Sequence, residues 1–498
     1  MFRKVLIANR GEIACRIAAT LREMEVRSVA VCSDADRGAM HTRVADEVRA
    51  IGSAEPRASY LDAEGLIRAA QESGAQAIHP GYGFLAENAE FAAAVEAAGL
   101  VFLGPTPDQV RALGDKRTVR ELARRAGVPV VPGAEGQETE SLVRAAQKLG
   151  YPVMIKAALG GGGKGMRSAA GAAELREGIE GARRVALSGF GDASVYLERR
   201  IERARHVEVQ VAGDGRGDVV HFFERECSLQ RRHQKVVEEC PSAAVDEPLR
   251  ARLTAAAVAF ARAARYRGVG TVEFLLAPSG EFFFLEMNTR LQVEHPVTEM
   301  VTGHDLVRLQ LVIASEGRLP IEQRAIERRG HAIEARVYAE DPSRSFVPQA
   351  GRATHVRWAA GPFLRVDAGI EAGDDVPVHY DPIVAKLIAR GVSRERALAR
   401  LAQALDDSLV HGVITNLPFL RALLRAPEVL QARFDSEWIE REFLPGFERL
   451  VSAPAPELAL AAAALAEALG GAASGEERER APADPFRDAG RWRLPGLD

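Results

Sequence analysis

Residues 270–296 read GTVEFLLAPSGEFFFLEMNTRLQVEHP, which is two strand-like runs joined by a short turn. The Ala-Pro-Ser-Gly run at 277–280 is typical of a hairpin turn. Folding the hairpin about Ser279-Gly280 places Glu273 opposite Glu286. Because two carboxylates that face each other across paired strands repel, the pattern predicts that a divalent cation binds between them.

Asn288 extends this predicted metal site. Side chains alternate along a strand, so Asn288 shares a face with Glu286. Carboxylate and amide oxygens suit Mg²⁺ or Mn²⁺, ions that also hold nucleotide phosphates. The alternative interpretation is a pair of solvated acids on an exposed sheet face.

The turn after Asn288 contains Arg290, Gln292 and Glu294. An arginine fork binds small planar oxyanions in bidentate fashion, and a nearby glutamate is able to remove a proton from the bound species. Taken singly, each residue is more often a member of an ordinary ion pair. The hypothesis of an anion site therefore depends on their crowding beside the metal site.

Length and composition indicate a large globular protein. The 498 residues are enough for about three domains, and 47% are apolar while 27% are charged. A net charge of −4 does not favour nucleic acid as a partner. The basic run at 231–235 precedes Glu238 and Glu239, so it indicates a local anion site. The four cysteines lack a CxxC spacing, and the sequence shows neither a secretory signal nor an apolar segment long enough to span a bilayer. These features predict a cytoplasmic protein without a membrane partner.

The N-terminal segment has the pattern of an open parallel sheet. Residues 4–8 predict a strand, 12–24 a helix and 28–32 a second strand. Helices at 60–72 and 87–98 and a strand end at 77–79 continue the alternation. The first turn lacks the GxGxxG spacing, so NAD binding is not expected.

A glycine run at 160–165 lies between a predicted strand at 152–156 and a predicted return strand at 166–168. Such a hairpin exposes backbone N–H groups that are able to close over phosphates. A flexible linker is the alternative, but Lys156 and Lys164 flank the run and favour a phosphate flap. The following run, 195–201, is typical of a hinge strand whose backbone is available to an adenine edge.

Arg336 lies in an alternating strand-like run at 333–342. Its side chain could face the site. The alternative is an ordinary strand-edge ion pair with Glu334 or Glu340.

Five segments together resemble the biotin carboxylases, which are ATP-grasp enzymes. The matching segments are IANRGEIA (7–14), HPGYGFL (79–85), CSLQRRHQK (227–235), residues 286–298, and YDP (380–382). The resemblance implies a mixed α/β and α+β fold. It comprises an N-terminal open parallel sheet (1–113), an ATP-grasp domain (114–320) with its lid at about 130–200, a C-terminal biotin carboxylase subdomain (321–446), and a helical extension with a flexible tail (447–498).

The resemblance also implies a role for each matching residue. Those implied to bind ATP are Lys116, Lys156, Gly162, Gly163, Glu198, Arg199, Arg200, Ile201, His206, Gln230, His233, Glu273 and Glu286. Those implied to hold two Mg²⁺ or Mn²⁺ ions are Glu273, Glu286 and Asn288. Those implied to hold bicarbonate are Lys235, Arg290, Gln292 and Val293. Glu294 would be the base and Arg336 would steady the biotin enolate, so the catalytic set is Lys235, Arg290, Glu294 and Arg336.

The implied activity is ATP-dependent carboxylation of carrier-bound biotin, the first half-reaction of an acyl-CoA carboxylase such as the one in fatty acid biosynthesis. No Met-Lys-Met tripeptide occurs, so we expect the biotin carboxyl carrier in trans or on a continuation of the chain. The expected partners are that carrier, a carboxyltransferase subunit and further copies of the chain, as a homodimer or larger complex.

Two other functions share part of the pattern. A different ATP-grasp ligase, of the carbamoyl-phosphate synthetase or purine-pathway type, would contain the flap and the metal acids but would not need Arg336 or Glu294. A catalytically silent nucleotide-binding scaffold would not need the full set of reactive residues.

Overall fold

Five parallel strands build the N-terminal sheet of this computed structural model, which describes residues 1–136, 138–157, 166–190, 192–451, 461 and 465. The elements are β1 (Lys4–Ile7), α1 (Gly11–Glu23), β2 (Arg27–Ser33), α2 (Met40–Val44), β3 (Glu47–Gly52), α3 (Ala63–Ser73), β4 (Ala77–His79), α4 (Ala89–Ala97) and β5 (Val101–Phe102). The strand order is β3-β2-β1-β4-β5. The predicted open parallel sheet is confirmed.

Side-chain caps set two helix starts later than the sequence pattern indicated. α3 begins at Ala63 because the carboxylate of Asp62 accepts a hydrogen bond from the N–H of Gly65. α4 begins at Ala89 because the side chain of Asn88 accepts from the N–H of Phe91. Both residue types are favoured N-caps.

A small antiparallel sheet follows. The elements are α5 (Pro107–Gly114), α6 (Lys116–Arg125), β6 (Gly133–Glu135), α7 (Thr139–Leu149), β7 (Val153–Ala157), β8 (Arg167–Ala169), α8 (Ala172–Phe190) and β9 (Val195–Arg199). The sheet order is β6-β9-β7-β8. The predicted return strand is present as β8, with Ile155 opposite Arg167. Residues 158–165, which include Gly162 and Gly163, lie outside the described residues.

An eight-stranded antiparallel sheet, called the central sheet below, is the largest sheet among the described residues. Its first five strands and the following helices are β10 (Arg205–Asp214), β11 (Val219–Arg231), β12 (Gln234–Cys240), α9 (Glu247–Ala263), β13 (Arg267–Leu276), β14 (Phe282–Asn288), α10 (His295–Thr302) and α11 (Leu306–Glu316). Buried Phe260 of α9 packs against Phe284 of β14. Fully burying such a side chain contributes about 1.5–3 kcal/mol, so this core fixes the predicted hairpin.

The C-terminal part completes this sheet. The elements are β15 (His331–Tyr338), β16 (Glu340–Asp341), β17 (Val347–Pro348), β18 (Gly351–Arg352), β19 (His355–Arg357), β20 (Leu364–Ala368), β21 (Asp375–Val376), β22 (Ile383–Gly391), α12 (Arg394–Asp407), β23 (Leu409–His411), α13 (Leu417–Leu423), α14 (Pro427–Leu430) and α15 (Leu444–Val451). The central sheet has the order β14-β13-β10-β11-β12-β15-β22-β20. It therefore joins the predicted ATP-binding strands to the strand that carries Arg336.

Residues 1–447 form one compact unit and residues 448–498 a second. Most of the predicted extension and tail, 447–498, lies outside the described residues. Among the helices that are described, none has the length and apolar character needed to cross a bilayer.

Candidate active site

Three glutamates lie in a row across the central sheet. Glu273 on β13 is directly opposite Glu286 on β14, as the hairpin predicted, and opposite Glu208 on β10 on its other side. Glu208 and Glu273 are buried, at 0% and 4% exposure. The alternative of solvated acids on an exposed face is therefore wrong for the central carboxylate.

Lys235 joins three carboxylates. Its Nζ lies 2.6 Å from Oε2 of Glu208, 2.9 Å from Oε1 of Glu273 and 2.7 Å from Oε1 of Glu294. Buried charges persist when they are paired in this way. The ammonium group thus joins Glu208 and Glu273 of the glutamate row to Glu294, the predicted base.

A strained two-residue turn places Lys235 at this position. Arg232 and His233 connect β11 to β12 with φ values of 48° and 64°. Positive φ at both central residues matches the twist of paired strands, but it costs a non-glycine residue about 1–3 kcal/mol. The tight turn sets Lys235 directly opposite Gln230, so the basic run forms one wall of the site.

Glu294 occupies the start of α10 without capping it. Its carboxylate instead lies between Lys235 and Arg336, whose Nη2 is 2.9 Å from Oε2. Burial raises the pKa of Glu294, but the neighbouring cations outweigh burial and hold the pKa well below its usual range. The carboxylate is therefore ionised and in the state that accepts a proton.

The guanidinium group of Arg336 forms ion pairs with two buried glutamates. Its Nε lies 2.6 Å from Oε1 of Glu238 on the neighbouring strand, while Glu340 pairs with Arg231 at 3.0 Å. The alternative of a strand-edge pair with Glu334 or Glu340 is wrong. The guanidinium instead bridges Glu238 and Glu294 at the site.

Arg290 lies at the edge of the row. Its Nε donates to Oε2 of Glu87 at 2.9 Å, and its Nη2 donates to Oδ1 of Asn288 at 3.2 Å. The amide nitrogen of Asn288 donates in turn to Glu273 at 2.7 Å. The guanidinium is thus fixed beside the proposed metal ligands, as the crowding in the sequence predicted.

The loop between Arg290 and Glu294 is also anchored from behind. The amide of Gln292 accepts a hydrogen bond from Arg225 at 2.5 Å and donates to Glu273 at 2.9 Å. The carbonyl of Val293 accepts from Nζ of Lys386 at 2.9 Å. Two consecutive residues inside the predicted anion loop are therefore held by buried cations.

The opposed acids fit a divalent cation. In the ranges 1–136, 138–157, 166–190 and 192–451, no hydrogen bond or ion pair within 4.0 Å satisfies the side chain of Glu286. Burial, followed by the nearby charge of Glu273, raises the pKa of Glu286. A cation between the two carboxylates would remove this conflict. The oxygen of Asn288 already accepts from Arg290, so its role as a third ligand stays a prediction.

The predicted nucleotide residues include several basic side chains. Lys156 lies 2.5 Å from Oε2 of Glu198, and burial lowers the pKa of Lys116. Arg200 pairs with Glu437 at 2.6 Å, and Nε2 of His206 lies 3.0 Å from Oε2 of Glu273. Basic side chains of this kind are suited to phosphate oxygens.

One cleft of about 770 Å³ brings the predicted residues together. Its volume is within the range of small-molecule sites. Apart from Gly162 and Gly163, which lie outside the described residues, every predicted site residue lines it: Lys116, Lys156, Glu198, Arg199, Arg200, Ile201, His206, Gln230, His233, Lys235, Glu273, Glu286, Asn288, Arg290, Gln292, Val293, Glu294 and Arg336.

Sequence reasoning missed several residues that hold this site. Those that contact a predicted site residue are Glu87, Glu208, Arg225, Glu238 and Lys386. Glu208 had a usable signal, because His206, Glu208 and Gln210 put three polar side chains on one face of a strand, while the alternating positions 207, 209 and 211 are valines.

Comparison with known proteins gives three family matches. The model described as biotin carboxylase, N-terminal domain, matches residues 1–110. The carbamoyl-phosphate synthase L chain, ATP binding domain, matches residues 115–322, and the biotin carboxylase C-terminal domain matches residues 334–441.

Similar proteins cover most of the chain. The α subunit of mitochondrial methylcrotonoyl-CoA carboxylase from Dictyostelium discoideum is 46% identical over 93% of this chain and 66% of that protein. Five such α subunits are longer, and the chain spans 60% to 66% of their lengths.

Two solved structures share the fold. The biotin carboxylase of Campylobacter jejuni in complex with β-γ-ATP has a TM-score of 0.86 and 40% identity, over 89% of this chain and 99% of that chain. The biotin carboxylase domain dimer of 2-oxoglutarate carboxylase from Hydrogenobacter thermophilus, with MgADP and bicarbonate, has a TM-score of 0.85 and 41% identity over 88% and 97%.

Proposed function

Because this chain belongs to the biotin carboxylase family, we propose that it carboxylates carrier-bound biotin with ATP and bicarbonate, the first half-reaction of a biotin-dependent carboxylase. The observation that carries the proposal is the contact of Lys235 with Glu294 in a cleft that also contains Arg290 and the opposed acids. An anion-binding cation, an ionised base and a metal-type carboxylate pair are the groups that phosphorylation of bicarbonate requires.

Bicarbonate would bind between Lys235 and Arg290, and its oxygens would accept hydrogen bonds from their N–H groups. Glu294 would accept the bicarbonate proton, and a carbonate oxygen would then form a bond to the γ-phosphorus of ATP. The bond from that phosphorus to the β-phosphate oxygen breaks with its electron pair on ADP, which leaves carboxyphosphate.

The low pKa of Glu294 makes it a weak base while Lys235 and Arg336 both act on it. An anion that draws Lys235 toward itself would weaken that stabilisation and raise the basicity of Glu294. Binding of bicarbonate would in this way prepare its own deprotonation.

Arg336 would act in the second stage. Carboxyphosphate would release CO₂ and phosphate, and the phosphate would take the proton from the ureido nitrogen of biotin. The guanidinium would stabilise the negative charge that develops on the ureido oxygen while the nitrogen attacks CO₂. A lid that excludes water would protect carboxyphosphate from hydrolysis.

Glu273 and Glu286, with Asn288, would hold Mg²⁺ or Mn²⁺, and we propose two ions. The bound metal ions would neutralise the negative charge of the ATP phosphates. Lys116 and Lys156 would contribute further positive charge within the cleft.

We further propose a biotin carboxyl carrier and a carboxyltransferase as partners, in a homodimer or larger complex in the cytoplasm. The α-subunit relatives support an acyl-CoA carboxylase. Fatty acid biosynthesis is one pathway with such an enzyme. The domain limits 1–113, 114–320 and 321–446 remain part of the proposal.

The test is ATP hydrolysis measured with and without bicarbonate and free biotin. Turnover should require bicarbonate and rise with biotin. Glu294→Gln and Arg290→Ala should each remove at least about 99% of biotin carboxylation, while nucleotide affinity, measured by calorimetry, stays close to wild type. Turnover that depends on ammonia or a purine substrate would support a different ATP-grasp ligase, and absent turnover a silent scaffold.

A further inference from the structure

Two buried glutamates that the proposed reaction does not use lie next to Arg336. Glu238 on β12 and Glu334 on β15 are directly opposite each other in the antiparallel pair. Their exposures are 1% and 0%. Opposite side chains in such a pair point to the same face, with Cβ atoms about 5 Å apart, so the two carboxyl groups are close neighbours.

Their surroundings differ in one respect. Glu238 has the guanidinium of Arg336 at 2.6 Å. Within the described ranges, the oxygens of both carboxyl groups lack a hydrogen bond partner, and no ion pair within 4.0 Å includes Glu334, so the ion pair with Arg336 is what distinguishes Glu238. An ionised carboxylate in such a position would cost several kcal/mol, whereas the neutral acid costs much less.

The remaining charges around the pair do not remove this difference. The charged and titratable groups that face it from the packed elements are Glu208, Cys227, Lys235, Glu294, Arg336 and Lys386. Lys235 is already shared by three carboxylates, and Lys386 contacts Glu12 and the carbonyl of Val293. Burial raises the pKa of Glu238 to about 7, and burial also raises the pKa of Glu334 well above its usual range.

We propose that Glu238 and Glu334 retain one proton between them, held on Glu334, and that the single carboxylate on Glu238 positions Arg336 against Glu294. The inference rests on the proposed function for its kinetic consequence. Glu238 is then a positioning residue, since it acts through Arg336 and not on the substrate.

The arrangement has a mechanical consequence for Arg336. The guanidinium is held from one side by Glu238 at Nε and from the other by Glu294 at Nη2. When Glu294 turns to a substrate, Glu238 still fixes the guanidinium. A second full charge on Glu334 would draw Arg336 away from the cleft.

Infrared difference spectroscopy tests the proton directly. The carbonyl stretch of a protonated, buried carboxylic acid should be present in wild type at pH 8 and lost in Glu334→Gln. Glu239→Gln is the matched control, because Glu239 is equally buried on β12 but is paired with His331 and Arg394; the band should persist in it. A band that survives in Glu334→Gln overturns the proposal, and this readout does not depend on any catalytic activity.

Kinetics tests the positioning role in folded variants, verified by circular dichroism. Glu334→Gln imitates the neutral acid and should retain kcat within about threefold. Glu238→Gln removes the counter-charge of Arg336 and should lower kcat of biotin carboxylation about tenfold or more, with the KM for ATP unchanged. Wild-type kcat in Glu238→Gln, or an equal loss in both variants, would overturn the proposal. Absence of bicarbonate-dependent turnover in the wild type would instead count against the proposed function.

Discussion

The Nζ atom of Lys235 lies 2.7 Å from Oε1 of Glu294, and the same ammonium group contacts Glu208 and Glu273. One cation therefore connects Glu294, the predicted base, to Glu273, a predicted metal ligand. The three carboxylates that it contacts are all buried, so the position of the base and the positions of the metal-type acids depend on each other.

Lys235→Met should lower stability and abolish bicarbonate-dependent ATP hydrolysis. The substitution leaves three buried carboxylates without their shared cation, and breaking a buried pair costs about 3–5 kcal/mol. Thermal melting and steady-state assays would measure both effects. Lys148→Met, at an exposed lysine of α7, is the matched control and should behave as wild type. A stable, active Lys235→Met would contradict this role.

Stability should depend on pH through Glu294. The folded pKa of Glu294 is depressed, because cations outweigh burial, while the unfolded pKa is about 4.3. Its contribution is thus complete above pH 4.3 and is lost as pH falls toward the folded value. The melting temperature of Glu294→Gln should be lower than that of wild type at pH 7, and the gap should shrink below pH 4.3. A gap that stays constant down to pH 3.5 would contradict the assignment.

Local elements such as the hairpin are predictable from the alternation of apolar and polar residues and from turn residues, but the order of strands in the central sheet is not. The hairpin of β13 and β14 joins neighbouring segments and has a Gly280 with φ of 81° at its turn, so local pattern is enough to predict it. β12 pairs with β15, about 95 residues later along the chain. No local pattern specifies such a partner.

The same reason explains which site residues were missed. Arg290 and Glu294 stand out because they crowd into one segment. Lys386 is a single lysine in the strand IVAKLIARG, and its contact with Val293 spans 93 positions. Its role is visible only when the strands are paired.

Glu286→Gln should weaken metal binding. Glu286 lacks a partner among the described residues and opposes Glu273, so a cation is the group that best satisfies both. The Mg²⁺ concentration for half-maximal ATP hydrolysis should rise about tenfold or more. Glu281→Gln, on the exposed turn of the same hairpin, should leave the Mg²⁺ midpoint unchanged. Equal midpoints in both variants would exclude Glu286 as a ligand.

Glu87→Gln should alter bicarbonate binding only modestly. Glu87 orients Arg290 at 2.9 Å, but it is 41% exposed, and exposed pairs contribute little. The KM for bicarbonate should change less than about fivefold, with kcat retained. Glu90→Gln, which removes a comparable exposed pair with Arg111, should leave KM unchanged. A loss of kcat in Glu87→Gln would mean that the residue takes part in the chemistry.

Lys386→Met should raise the KM for bicarbonate about tenfold while the KM for ATP stays the same. The fully buried ammonium donates to the carbonyl of Val293 at 2.9 Å, so its loss frees the peptide that leads into Glu294. Arg390→Met on the same strand is the matched control, since Arg390 donates to the carbonyl of Arg329 and does not line the cleft. Lys386→Arg keeps the charge and should recover part of the bicarbonate affinity. If both KM values rise together, the effect is general destabilisation, because a loop-specific contact has no reason to change ATP binding.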